Sequence, residues 1–194
     1  MNGILPGENL LVMNKPSTVE LARQFTIAAH DSVQHKRKYT NEPYHVHPER
    51  VANLIASVTD DAEIIAAAWL HDVLEDVAPK NPAFNADTIE VTFGKRVLQL
   101  VLEVTDVSKP EDGNRATRKA IDREHLSQAS RDGQTIKLAD IIDNYIDISA
   151  HDAHFARVFK REAKLILPLL QAGDQTLFAR LKQLLYTNQD TKTG

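Results

Sequence analysis

An all-α fold, a single-domain helical bundle, is what this sequence predicts, and three observations predict it. Only 7 of the 194 residues are glycine. Strand-like alternation is scarce, and apolar residues recur at three and four positions through most of the chain, the repeat of one helix face. About nine helices follow. The segment from Ser17 to about Lys38 opens with Ser-Thr-Val-Glu, which puts Ser17 and Glu20 at capping-box spacing, and it carries Leu21, Phe25, Ala28 and Ala29 on one face. Tyr39 to His47 is polar and contains Pro43, and Pro48 then suits the first turn of a second helix bearing Val51, Leu54, Ile55 and Val58. His47 therefore stands where a loop enters a helix.

The third helix, about Asp61 to Val77, is apolar nearly all round through Ile64, Ile65, Ala66, Ala67, Ala68, Trp69 and Leu70, which places it centrally. Ala78 to Ala86 reads as a loop. Asp87 to Phe93 is a short helix stopped at Gly94, and another runs on to about Asp106. The polar segment Val107 to Asn114, with Lys109, Pro110 and Gly113, suits a mobile loop or lid before a charged helix reaching about Ser130. Gln134 to about Ser149 is a second strongly apolar helix. Asp152 to Tyr186 makes two more, broken near Gly173, with Asp174 able to cap the last. One domain over residues 17–187 with flexible termini at 1–16 and 188–194 is the expected organisation, since no linker, repeat or low-complexity segment interrupts it.

Composition narrows the function. A formal net charge of -4 offers no basic footprint, so DNA or RNA is not an expected partner. No run of about 18 apolar residues marks a membrane span, and the first residues lack the pattern of an export signal. A cytoplasmic protein is expected, and a homodimer is compatible with the sequence. With no cysteine, any metal must be held by His, Asp, Glu, Asn or water.

The third helix then places His71, Asp72, Glu75 and Asp76 directly after its most hydrophobic stretch, in AAAWLHDVLEDV. Ionisable groups in a buried helix lose hydration and persist when they pair, hydrogen-bond or coordinate a metal. On a regular helix, spacings of three and four put all four on one side. The peculiarity recurs in TIKLADIIDNYIDI, where Asp140 and Asn144 are four apart in a helix rich in Ile136, Leu138, Ile141, Ile142 and Ile146. If the two helices pack together, Asp140 reaches a metal bound by His71 and Asp72, and His47 supplies a further ligand. Such an open nitrogen and oxygen site suits manganese, iron(II) or zinc and acidifies bound water. Glu75 and Asp76 are then placed to move protons. Asp143 and Asp147 are expected on a solvated helix face, and His30, His35, His45, His125, His151 and His154 as surface or structural histidines.

In order along the chain, EPYHVHPERVA, AAWLHDVLEDV, FGKRVLQLVLEVTD and IKLADIIDNYIDI resemble the HD hydrolase domain of RelA/SpoT proteins, above all its stand-alone small alarmone hydrolase form. The resemblance runs from about Leu21 to Asn144 and more weakly to Leu185. It implies removal of the 3′ pyrophosphate from guanosine tetraphosphate and pentaphosphate, (p)ppGpp, the stringent-response alarmones, with Mn2+ at the site. It implies His47, His71, Asp72 and Asp140 as metal ligands, Glu75 and Asp76 as the catalytic pair that activates water, and Arg37, Lys38, Lys137 and Asn144 as substrate-binding residues. The synthetase domain of the long relatives is not expected. Where relatives commonly carry isoleucine and tyrosine, this chain has His45 and Asp143. The alternatives are an HD phosphatase acting on another nucleotide, such as a deoxynucleoside monophosphate or NADPH, and a non-catalytic nucleotide-binding HD module.

Overall fold

The computed structural model describes residues 16–187, so the expectation of flexible termini falls almost wholly outside the described residues. Nine α-helices run in the order α1 (Thr18–Ser32), α2 (Val46–Ala56), α3 (Ala62–Leu70), α4 (Ala86–Phe93), α5 (Lys95–Val104), α6 (Arg115–Leu126), α7 (Arg131–His151), α8 (Ala153–Ile166) and α9 (Gln175–Tyr186). Among the described residues the sole β-type pairing is an isolated bridge between Lys36 and Pro43. No helix among them is long and apolar enough to cross a membrane.

Helix α3 is central, as its apolar composition predicts. It packs against α1, α2, α5 and α7, and Ala66, Ala67, Ala68 and Leu70 are wholly buried. Small alanines let the neighbouring backbones approach closely, and Leu138 and Ile142 of α7 complete the same core. The caps form where the sequence indicates, although Glu20 turns its carboxylate to Arg23 and Gln24 and leaves the capping box of α1 half made. Ser17 Oγ accepts from Glu20 N at 3.2 Å, Gly94 closes α4 at φ 92°, a left-handed conformation that glycine adopts without a Cβ penalty, and Asp174 accepts from the N–H groups of Thr176 and Leu177.

Two elements differ from expectation. Helix α1 ends at Ser32, not near Lys38. Gln34 and Asn41 take positive φ, and residues 35–44 fold back on themselves, with Arg37 N donating to Glu42 O and Tyr44 N donating to His35 O. Tertiary contacts override the helical pattern there: His35 stacks on Tyr44 with ring centroids 3.7 Å apart, and Arg37 is drawn into an ion pair with Asp147.

The third predicted helix is likewise not continuous. Regular α-helix stops at Leu70, and after His71 and Asp72 the chain makes a π-helical turn over Val73–Val77, with Ala78 N donating to Val73 O. Such wide turns are frequent at functional sites. The start of the polar segment 107–114 is held in place: the buried carboxylate of Asp122 accepts from Val107 N, Ser108 N and Ser108 Oγ.

Candidate metal centre and its cavity

Three elements converge on one point. The first turn of α2 brings His47, the end of α3 brings His71 and Asp72, and the middle of α7 brings Asp140. His47 Nε2 lies 3.3 Å from Asp140 Oδ1 and 3.5 Å from Asp72 Oδ2, and His71 Nε2 lies 3.2 Å from Asp72 Oδ1 and 3.8 Å from Asp140 Oδ1. Both Nε2 atoms are buried without a hydrogen-bond partner. Unpaired buried nitrogens facing two carboxylates form a donor set that a divalent cation satisfies. Ligand atoms of His47, His71 and Asp72 all fall within 4.8 Å of one another, close enough to share one ion.

Each of the four is held from behind. His71 Nδ1 donates to Ala68 O at 2.8 Å, Tyr44 Oη donates to Asp72 Oδ2 at 2.8 Å, and Asp140 accepts from Asn144 Nδ2 at 2.6 Å and pairs with Lys137 Nζ at 2.9 Å. His47 Nδ1 faces Asp143 Oδ2 at 2.7 Å. Here the sequence reading needs correction. Asp143 and Asp147 do not lie on a solvated face; both are buried, at 6% and 7% exposure. With Asp140 they form a stripe spaced three and four residues apart on α7, a spacing that could have found them. Tyr44 was also missed, although it directly precedes the His-containing turn.

The electrostatics are uneven. For His71, burial opposes charge but is outweighed by Asp72 and Asp140, so its pKa stands well above the usual imidazole value, a position a cation can take over from the proton. Burial would raise Asp140, yet Lys137 and the two histidines hold it well below the usual carboxylate range. Glu75 and Asp76 lie beyond the cluster on the π-helical turn. Burial, then Asp106 and Asp72, push Glu75 up to about 8, and burial and Asp72 push Asp76 up to about 6.

These groups open into a cavity of about 260 Å³ whose lining includes Tyr44, Asp72, Glu75, Asp76, Arg115, Lys119, Lys137, Asp140 and Asn144. Arg37 and Lys38 face a neighbouring cleft of about 220 Å³, which shares Tyr44 and Asn144 with the first. Arg37 is only 7% exposed, its guanidinium 2.6 Å from Asp147 and above the Tyr44 ring. Lys38 Nζ lies over the rings of Tyr39 and Phe155. Lys137 and Asn144 line the cavity, with Lys137 Nζ and Asn144 Nδ2 turned to Asp140. Among the other histidines, His30 is fully buried and faces His35, and His45 carries a buried Nδ1 without a partner.

Residues 22–172 match the HD domain family. A probable guanosine-3′,5′-bis(diphosphate) 3′-pyrophosphohydrolase of Synechocystis is 33% identical over 147 residues, 74% of this chain, and the chain spans 19% of that relative's length. The mouse guanosine-3′,5′-bis(diphosphate) 3′-pyrophosphohydrolase MESH1 is 31% identical over 174 residues, covering 85% of this chain and 92% of the mouse protein. Among solved structures, a metazoan orthologue of SpoT that hydrolyses ppGpp superposes with a TM-score of 0.74 at 26% identity, covering 88% of this chain and 94% of that one.

Proposed function

Because this chain belongs to the HD domain family, and within it to the RelA/SpoT-type small alarmone hydrolases, we propose that it removes the 3′ pyrophosphate of guanosine tetraphosphate and pentaphosphate. The observation that carries this reading is the joining of the buried His47, His71, Asp72 and Asp140 cluster to an open cavity in which two carboxyls have displaced proton affinities. His47, His71, Asp72 and Asp140 are the metal ligands in this proposal, and manganese is the proposed cation, held by two imidazoles and two carboxylates that also suit iron(II) or zinc. When bound, the cation supplies positive charge to polarise a phosphoryl oxygen and acidify water.

The protein's own residues do the rest. Asp76, near 6, accepts the proton of the attacking water, while Glu75, near 8, keeps a proton at neutral pH that it can deliver to the departing ribose 3′ oxygen. Lys137 holds Asp140 ionised, and Asn144 fixes that carboxylate while presenting its remaining amide atoms to the nucleotide. The cleft beside Arg37, Lys38 and Tyr44 is the place for the base, with flat aromatic and cationic surfaces at its wall. A substrate panel with Mn2+ added tests the proposal. Guanosine tetraphosphate should yield pyrophosphate and GDP far faster than deoxynucleoside monophosphates or NADPH yield phosphate, and His71→Ala should abolish both metal binding and turnover. Efficient phosphate release from another nucleotide, with no pyrophosphate from the alarmone, would overturn the substrate while leaving a metal-dependent phosphohydrolase.

A further inference from the structure

Asp143 takes no part in the reaction just described, yet it is buried directly behind His47. Its Oδ2 lies 2.7 Å from His47 Nδ1. An ionised carboxylate can only accept, so the ring nitrogen is the donor. His47 itself is wholly buried, and its other nitrogen, Nε2, has no hydrogen-bond partner and faces Asp72 and Asp140. A neutral imidazole has a single ring proton. Once Nδ1 donates it to Asp143, the lone pair must reside on Nε2, the atom that points into the cluster.

We infer that Asp143 is a positioning residue that fixes His47 in the tautomer and orientation presenting Nε2 to the divalent cation, an inference that rests on the metal reading of the four-residue cluster. The two histidines are secured differently. His71 donates to a neutral backbone carbonyl within its own helix turn, whereas His47 on α2 is locked to a charged group on α7, three residues after Asp140 on the same helix. One rigid element thus carries both a carboxylate that faces the cation position and the carboxylate that aims the opposing histidine. A negative acceptor also makes the far nitrogen more basic, which strengthens its bond to a metal. Arg50 lies 3.9 Å from the other oxygen, Oδ1, and leaves Oδ2 to the histidine.

The test titrates the full chain with Mn2+ alone, following free Mn2+ by electron paramagnetic resonance, for wild type, Asp143→Ala and Asp143→Asn. Long-range proton–nitrogen spectra of the metal-free chain, recorded where the His47 ring is neutral, read its tautomer. Asp143→Ala should weaken Mn2+ binding on the order of 10–100-fold, the usual cost of removing such an outer partner, and should release the bias toward the Nδ1–H form. Asp143→Asn conserves size and a carbonyl acceptor without the charge and should weaken binding severalfold, which decides the matter should the alanine variant fail to fold. Affinity within twofold of wild type in either folded variant, or an unchanged tautomer in Asp143→Ala, overturns the inference while the metal site stands. A folded wild type that binds no Mn2+ overturns both.

Discussion

Glu75 and Asp76 are adjacent in sequence but differ in surroundings. Glu75 has Asp106 beside it, whose backbone N–H it accepts at 3.2 Å; Asp76 is nearer Tyr44 and 3.9 Å from His35. The environment, more than residue type, separates a proton donor from an acceptor. Glu75→Gln keeps the shape and removes the transferable proton, so it should retain Mn2+ binding and lose about a hundredfold or more in turnover, measured at saturating alarmone; full activity would remove Glu75 from the mechanism. Arg37 is governed by a stronger local constraint than substrate contact. Deleting it strands the buried Asp147 carboxylate, and breaking one side of a buried pair costs about 3–5 kcal/mol. Arg37→Ala should therefore lower the melting temperature clearly, not merely raise KM, and Arg37→Ala with Asp147→Ala should recover part of the loss in thermal melts.

At the level of elements, the departure from a regular helix after Leu70 shapes the site. The π-helical turn over Val73–Val77 has more residues per turn than an α-helix, so Glu75 and Asp76 do not simply repeat the direction of His71 and Asp72. Ligands and proton-transfer groups can thus share one short stretch without crowding one spot. Helix α7 uses the reverse strategy, with regular geometry stacking Asp140, Asp143 and Asp147 on one buried face, each matched to a different partner. Helix α9 depends on its start, where the single Asp174 side chain satisfies two N–H groups at 2.9 and 3.0 Å. Asp174→Ala should cost about 1 kcal/mol in denaturant unfolding, with Mn2+ affinity unaltered because the Asp174 side chain bonds only Thr176 and Leu177 and none of the four cluster residues; no loss would mean that water satisfies those groups equally well.

Over the whole molecule, burying polar groups links stability to pH. His30 is fully enclosed and faces His35 at 3.1 Å. Burial, reinforced by nearby histidines and opposed by Asp72, pulls its pKa down to about 3 from 6.5. The folded chain thus keeps His30 neutral while the unfolded chain protonates it below about 6.5. Its contribution is complete above that pH and is lost as the pH falls toward 3, with a slope of up to about 1.4 kcal/mol per pH unit. In metal-free protein, unfolding free energies between pH 6.5 and 4.5 should fall less steeply for His30→Gln than for wild type; parallel curves would show that His30 does not titrate on unfolding.

The helical class, the central place of the alanine-rich helix and the gathering of His47, His71, Asp72 and Asp140 were all legible in the sequence, because hydrophobic periodicity and misplaced acids in apolar helices are local signals. Capping at Ser17, Gly94 and Asp174 was legible for the same reason. What only the tertiary structure decided were features that depend on partners far away in the chain. Asp143 and Asp147 read as surface acids until α7 packs against α2 and the 33–45 loop, and Arg37 reads as a substrate-binding residue at the end of the first helix until its partner, 110 residues away, arrives. The break after Leu70 is equally invisible beforehand: helix propensity favours continuing, and the π-helical turn follows where His71 and Asp72 meet groups from α2 and α7. Local chemistry determined which residues would need company, and packing determined which company each one found.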